Sequence, residues 1–528
     1  MDTVDSLYSR LEQLNDIGAS LSGERDIDRL LEKILLAVKG ITHADGGTLY
    51  MMAEDGRHLG FRIVRTDSLH IAYGGQGGQP LPPHFKDLPL YMDDGQPNDH
   101  MVAAHVALSG QTANIPDAYE ERRFDFSGTR RFDAATGYRS TSFLTVPMKN
   151  HEGEVIGVLQ LLNALDPDTG AVRTFTPGDQ RLAESLGSQA AIALTNRQLV
   201  GQLEKLFESF VQLIDTAIDE KSPYTGGHCA RVPELTMMLA EAVNAATEGP
   251  LAGFKLTEKD RYELRIAALL HDCGKVTTPV HVVDKATKLQ TIFDRIELVA
   301  TRFAGVKAQA QADMWRAIAQ GEPEASARER FQAQCRQLDE DLAFLRHTNQ
   351  GSERMNDAAL QRVRDMAARH RWVDEHGREQ PLLSDNELEN LTIRAGTLTP
   401  AERKIINHHI VATIQMLEKL PWPKHLARVP EFAGGHHERM DGKGYPKGLT
   451  REQMSVQARI MGIADIFEAL TAADRPYKAP MTLSQALKIM DNFRENGHID
   501  PDLYALFRSH QVPQRYARRF LAESQRDC

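Results

Sequence analysis

RYELRIAALLHDCGKVTTP, residues 261–279, runs an apolar, helix-forming stretch straight into His271-Asp272, then into Gly274, Lys275 and Pro279. A helix over 261–270 that ends on an imidazole and a carboxylate brings two kinds of metal donor to one point. The pair alone is weak evidence, because His-Asp dipeptides occur by chance. What gives it weight is the order of residues around it: His228 upstream, then His409, His436-His437 and Asp465 downstream. Predicted helices at 229–246, 261–270, 401–420 and 458–472 lie between them. Donors projecting from several helices into one interior are how all-helical proteins build metal sites. This half of the chain is therefore read as an all-α bundle.

The residue types set the chemistry. Five imidazoles and two carboxylates, with no thiolate, suit Fe, Mn, Co, Ni or Zn and disfavour Mg or Ca cages. Asp272 beside His271 can bridge two ions, and two ions roughly 3.5–4 Å apart can activate water against phosphorus while stabilising charge on phosphate oxygens. Between His408 and His409 the second is chosen, because Ile405, Ala412 and Met416 place it on the apolar stripe of its helix. Asp465 in GIADIF reads equally well, by itself, as a helix-capping or salt-bridged residue. His436-His437 is stronger, since it opens HHERMDGKGYP (436–446).

Length and composition bound the rest. The chain has 528 residues, which suggests about three domains. It carries 62 Lys and Arg against 73 Asp and Glu, a net charge of −11, so no global basic field draws it to a nucleic-acid polymer. No apolar run is long enough for a membrane span. The start, MDTVDSLYSR, lacks a basic tip followed by an apolar stretch, so no secretory signal is expected. The four cysteines, Cys229, Cys273, Cys335 and Cys528, form no C-x-x-C. A multi-domain, cytoplasmic protein is expected.

Toward the N-terminus, Ile27, Leu30, Leu31, Ile34, Leu35, Val38 and Ile41 recur at helical spacing. Strands are predicted at 44–52, 58–64, 111–119, 141–149 and 154–163, the last two joined by the hairpin signal NHEGE. From Thr176 the pattern is helical again. Helix, antiparallel strands, then helix predicts an α+β domain. The segments ADGGTLY, NIPDAY, FLTVPM and VIGVLQLLN, with Phe175 and Asp179, resemble a GAF sensory domain. Asn163, Phe175 and Asp179 match the pattern of its cyclic-nucleotide-binding members. Ala164 replaces that pattern's lysine and Gln180 its glutamate, which disfavours such a ligand and leaves dimerisation without a ligand as the other reading. The domains expected are a GAF-like domain at 1–195, a helical linker at 196–220, a catalytic domain at 221–510 with a helical insertion at about 290–390, and a basic tail at 511–528. In the linker, Leu199, Leu203, Leu206, Phe210, Leu213 and Ala217 follow 4-3-4-3-4 spacing, an a/d seam. Two readings stay open: a parallel coiled coil that fixes a homodimer, or a helix packed on its own domain.

HDCGKVTTP and HHERMDGKGYP together resemble the HD-GYP branch of the HD phosphohydrolases, matching HD-x-GK-x-x-x-P and HHE-x-x-DG-x-GYP. YTGGHCARV (224–232), ARIMGIADIFEALTAADRPYK (458–478) and GHIDP (497–501) extend the likeness over about 215–286 and 390–510. The resemblance implies an all-helical fold with two divalent metal ions, Fe or Mn first and Ni, Co or Zn next. It implies hydrolysis of cyclic di-GMP to linear 5′-pGpG and onward to GMP. By position, the implied metal ligands are His228, His271, Asp272, His409, His436, His437 and Asp465. His228, His271, Asp272 and Asp465 would hold one ion. Asp272, His409, His436 and His437 would hold the other, with Asp272 bridging. Tyr224 stands where some relatives have a glutamate ligand, which favours two ions over three. Asp272 and Lys275 are the implied catalytic residues. Lys275, Arg475 and Lys478 would contact substrate phosphate, and guanidinium can do so bidentately. Gly442, Gly444, Tyr445 and Pro446 form the loop that shapes the site, with Gly444 and Tyr445 on the substrate side. In the family that loop is also linked to contacts with diguanylate cyclase domains.

The chain departs from the family pattern in two places. Glu468 stands where an aspartate near the lysine is usual, and pairing with Lys275 is expected to persist. The 137 positions between Asp272 and His409 reflect the insertion. The insertion is predicted as helices over 292–347 and 354–373, with Phe303, Val306, Met314, Trp315 and Ile318 on one side, folded back on the bundle. His347 and His370 are not expected to bind metal. The end of the chain is expected to be a basic helix with a loose terminus. Alternatives to cyclic di-GMP are a hybrid cyclic GMP-AMP, a nucleotide mono- or triphosphate, or a non-hydrolytic receptor.

Overall fold

The computed structural model describes residues 24, 26–83, 85–221, 227–351, 354–473 and 480–528. It divides into two compact units, Met1–Leu206 and Phe207–Cys528.

In the first unit, Asp26 caps helix α1 (Ile27–Thr42) by accepting from the Arg29 amide, and Leu30, Leu31, Ile34, Leu35, Val38 and Ile41 face inward. Strands β1 (Ala44–Met52), β2 (His58–Thr66), β3 (Ile71–Gly74) and β4 (Leu88–Pro89) lead to α2 (Val102–Ser109). Strand β5 (Ala113–Ile115), α3 (Ser127–Thr136), β6 (Phe143–Lys149), β7 (Val155–Leu165) and β8 (Val172–Arg173) follow. The sheet runs β3-β2-β1-β7-β6-β5, with β4 on β2 and β8 on β7, and every pairing given is antiparallel. Helix α4 (Pro177–Lys221) begins here. Its residues Ala183, Leu186, Ala190 and Leu194 join α1 in covering one sheet face. Val102, Val106, Phe124 and Phe126 pack on the other face. The domain is α+β, followed by a long helix and a helical region.

The second unit takes in the end of α4, then α5 (His228–Asn244), α6 (Glu258–Leu270), a 3-10 turn (Cys273–Thr277) and α7 (Val280–Val283). Helices α8 (Ile296–Ala319), α9 (Glu324–Asn349), α10 (Asp357–Arg369) and α11 (Asp385–Leu391) form the insertion, with a hairpin of β9 (Arg371–Val373) and β10 (Glu379–Pro381) before α11. The bundle resumes with α12 (Pro400–Glu418), α13 (Val429–Gly434), α14 (Val456–Thr471), α15 (Leu483–Glu495), α16 (Pro501–Ser509) and α17 (Val512–Phe520). Capping boxes set several helix starts, including Thr257 with Asp260, Thr399 with Glu402 and Thr482 with Gln485. Val232, Leu239, Leu264, Phe432, Ile460, Phe467 and Tyr516 share one core.

The structure corrects the sequence reading of the insertion and of the C-terminus. The insertion builds a core of its own from Leu289, Val299, Phe303, Leu338, Leu345, Leu360, Val363, Leu382 and Leu391. Trp315 stays half-exposed, beneath the Arg328 guanidinium at 5.2 Å. The C-terminus is not loose. Tyr516 is buried beside Phe467, and the Gln525 amide donates to the carbonyls of Thr471 and Met481, both at 2.9 Å. Asp527 accepts from the Ser484 amide and hydroxyl at the start of α15.

Candidate metal centre

Helix α6 ends on His271, and Asp272 opens the 3-10 turn that follows. Gly274 in that turn lies against α12, where any Cβ would overlap the His409 carbonyl and the Thr413 amide. Its own amide donates to Thr413 Oγ1 at 2.9 Å. The absence of a side chain at 274 therefore seats the His-Asp pair directly on the helix that carries His409.

Three of the histidines share one local arrangement. His271, His409 and His436 each point Nδ1 at the carbonyl three residues back, on Ala268 (2.7 Å), Ile406 (2.5 Å) and Ala433 (2.6 Å). A hydrogen on Nδ1 leaves the Nε2 lone pair free, so the local bond fixes both tautomer and ring direction. His228 is anchored differently: its Nδ1 contacts the Glu468 carboxylate, which in turn accepts from Arg231 at 2.7 Å. The Glu468–Lys275 pairing expected from the sequence is thus replaced. Glu468 is engaged by His228 and Arg231, while Lys275 Nζ lies 2.5 Å from Asp272 Oδ2. One more methylene than aspartate lets Glu468 reach a different partner.

The free nitrogens converge. His228 Nε2 lies 3.2 Å from Asp272 Oδ2 and 3.3 Å from Asp465 Oδ1, and His271 Nε2 lies 3.3 and 3.9 Å from the same oxygens. On the other side, His409 Nε2 is 3.2 Å from Asp272 Oδ1 and 3.2 Å from His437 Nε2. Two groups of donor atoms, each mutually within 4.8 Å, result: His228, His271 and Asp272, and Asp272, His409, His436 and His437. Asp272 belongs to both. Asp465 borders the first group. His409 is buried and His408 exposed, although Ile405 and Met416, which marked the stripe in sequence, are themselves half-exposed. The buried face of α12 is formed by His409, Ile410, Ala412, Thr413 and Leu417.

Whether these residues suit metal is answered by their unsatisfied atoms. His228 Nε2, His271 Nε2, His436 Nε2 and Asp272 Oδ1 are buried with no hydrogen-bond partner. An orphaned buried polar group costs about 1–3 kcal/mol, so atoms left so in both donor groups call for a partner. The donor set fits divalent transition metal. Burial, with His437 and His271 adding, holds His436 well below the ordinary imidazole value, and burial pushes His437 down to about 4, so both stay neutral and able to ligate. Burial opposes the charge on Asp272, but Lys275, His271 and His228 outweigh it and hold the carboxyl well below its ordinary range. Burial likewise opposes the charge on Asp465, and His228 outweighs it. His228 is raised well above its ordinary value, because Glu468, Asp272 and Asp465 outweigh its burial.

Around the donors, Tyr445 stacks on His437 with ring centroids 4.9 Å apart and 22° between planes. Gly444 leaves no room for a Cβ against the backbone of Glu438 and Arg439. The buried Glu438 carboxylate accepts from the amides of Lys447 and Leu449 at 2.7 and 2.9 Å, which holds the loop beside His437. Tyr224, Arg475 and Lys478 lie outside the described residues. Sequence reading missed the end of α4. Asp215 Oδ1 and Asp219 Oδ1 are buried without hydrogen bonds, and burial, with Asp219 and Asp272 adding, pushes Asp215 up to about 7. Lys221 Nζ donates to the carbonyls of Lys275 (3.1 Å) and Val276. The four-residue spacing of Asp215 and Asp219, alongside buried Val211 and Ile218, was the available signal.

Residues 26–194 match the GAF domain family, and residues 225–330 and 341–503 match two families both described as HD domain. The chain carries a GAF domain and an HD-domain region. The His/Asp cluster of the HD region is able to hold metal. A 3′3′-cGAMP-specific phosphodiesterase 3 of Vibrio cholerae is 42% identical over 127 residues, 23% of this chain and 26% of that protein. A second, 3′3′-cGAMP-specific phosphodiesterase 1 of the same organism, is 41% identical over 96 residues, 18% and 22% of the two chains. A cyclic di-GMP phosphodiesterase of Pseudomonas aeruginosa is 37% identical over 114 residues, 22% and 26%. The matched segments thus span about a quarter of these relatives' own length. Among the described residues, no helix is long and apolar enough to cross a membrane.

Proposed function

We propose that the HD region is a metal-dependent phosphodiesterase of the HD-GYP kind that hydrolyses a cyclic dinucleotide, cyclic di-GMP first, to its linear form, under control of the GAF domain. The observation that carries this reading is the pair of donor groups sharing Asp272. Two divalent ions held by His228, His271, Asp272, Asp465, His409, His436 and His437 would supply Lewis-acid charge and an activated water. The chain's own residues do the rest. Asp272 sets the spacing of the two groups through its two oxygens. Lys275, 2.5 Å from Asp272 Oδ2, stands at the rim where a phosphate oxygen would approach. Arg475 and Lys478 are assigned to the substrate phosphates by the motif match alone. Gly444 and Tyr445 wall the site beside His437, so that a bound nucleotide meets an aromatic face.

A second substrate reading, 3′3′-cGAMP, is favoured by the two Vibrio cholerae relatives at 42% and 41% identity, both 3′3′-cGAMP-specific phosphodiesterases. The test is anaerobically purified chain loaded with Fe(II) or Mn(II), metal content measured, and offered both cyclic dinucleotides side by side. Linear product from either supports the phosphodiesterase reading, and the faster substrate assigns specificity. No turnover of either at two ions per chain refutes it.

A further inference from the structure

The last turn of α4 brings a cation to the turn that carries the site's lysine. Val211 and Ile218 bury this end of the helix in the second unit's core. Asp219 Oδ2 accepts from the Gly227 amide at 3.3 Å, one residue before the start of α5. From that fixed base, Lys221 Nζ donates to the carbonyls of Lys275 (3.1 Å) and Val276. Among the described residues no carboxylate pairs with Lys221, so its ammonium serves backbone oxygens instead.

The placement follows from what a short helical turn lacks. Its last carbonyls have no amide further along to accept from, and the aligned peptide dipoles favour a cation at that end. The other fastenings of the turn Cys273–Thr277 lie at its start or within it. The Gly274 amide donates to Thr413 Oγ1 at 2.9 Å, Thr277 Oγ1 to the Gly274 carbonyl at 2.8 Å, and the Thr278 amide to the Lys275 carbonyl at 3.0 Å. Apolar packing adds little at the far end, where Val276 is 46% exposed and Val280 48%. Lys221 therefore supplies the hold from outside. The residue whose carbonyl it bonds is also the one whose Nζ lies 2.5 Å from Asp272 Oδ2. Where the backbone stands at 275 decides where that ammonium stands.

We propose that Lys221 is a positioning residue for Lys275: by bonding the Lys275 and Val276 carbonyls it fixes the turn from which Lys275 reaches Asp272 and a substrate phosphate. The catalytic consequence rests on the phosphodiesterase reading, whereas the fixing of the turn does not. The test uses the full chain with Lys221→Met, Lys221→Arg, Lys275→Ala and the Lys221→Met/Lys275→Ala pair. Hydrogen–deuterium exchange of segment 273–279, read by mass spectrometry, should quicken about 10-fold in Lys221→Met. Lys221→Arg, which keeps the charge and can reach both carbonyls, should restore the parent rate. With Mn(II) bound, Lys221→Met should lower kcat/KM about 5- to 10-fold, and should lower it no further once Lys275 is alanine. Exchange that is unchanged in Lys221→Met or equally fast in Lys221→Arg, or the same fractional loss with and without the Lys275 side chain, would overturn the inference. A parent that turns over neither cyclic dinucleotide refutes the phosphodiesterase reading instead, and exchange alone then decides whether Lys221 fixes the turn.

Discussion

Asp272 is the residue that the two donor groups have in common. Asp272→Ala is therefore predicted to lower bound metal from two ions to one or fewer and to abolish turnover, with metal analysis as the direct check; full metal and full rate would disprove the assigned centre. Glu468→Gln keeps the shape but removes the charge that anchors His228. We predict a loss of about 10–100-fold in metal affinity on the His228 side, with the His409–His436–His437 side retained, readable as one tight ion per chain. For Lys275→Ala the expected effect is roughly 10- to 100-fold in kcat/KM, since a charge-assisted hydrogen bond is worth about 1.5–3 kcal/mol. Four of the seven expected donors, His271, Asp272, His436 and His437, were legible because they stand in two long motifs; His228, His409 and Asp465 lie outside them and rested on shorter strings and helical position. The anchoring was not legible. No sequence pattern announces that Nδ1 of His271, His409 and His436 turns back onto its own helix, or that Glu468 chooses His228 over Lys275. Those outcomes depend on side-chain reach and on which carbonyl is left unsatisfied at a helix end.

At the scale of elements, hydrophobic period located the major helices and strands to within a few residues. It failed where polar groups decide the structure. The segment 292–347 reads as helical throughout, yet Gly321 and Pro323, both within it, divide it into α8 and α9. The stretch 354–373 gives way after Arg369 to a short hairpin that no alternation of apolar residues signals. The tail was misjudged because its arginines dominate the composition, while Val512, Tyr516, Ala517 and Leu521 do the packing. Removing residues 522–528 is predicted to leave the carbonyls of Thr471 and Met481 without their Gln525 donor. Each lost bond to a buried group costs about 1–3 kcal/mol, so urea denaturation should show a lower midpoint; an unchanged midpoint would show that the tail is dispensable.

For the whole molecule, several carboxylates are held below their ordinary values of 3.8 and 4.5. Burial opposes the charge on Asp179, Glu387, Glu402 and Asp500, but Arg173, Arg302, Lys285 and Arg451 respectively outweigh it. A depressed native pKa binds fewer protons than the unfolded chain, so stability rises with pH across this range. The contribution is complete above about pH 4.5 and is lost as acid titrates the native carboxyls. Thermal melts should therefore fall steeply below pH 4.5 in both units, and a flat profile from pH 6 to 3 would contradict these pairings. Deleting residues 1–200 is expected to alter regulation more than chemistry, and equal activity with an equal oligomeric state would speak against a sensor-rod-effector design.

Because three of the imidazoles are fastened to carbonyls one turn behind them, the chain itself sets their aim. Chelation should then empty the site without melting a helix, and re-addition should restore it within mixing time, with no refolding lag. Metal supply, rather than the folding history of the chain, would decide when such a protein is switched on.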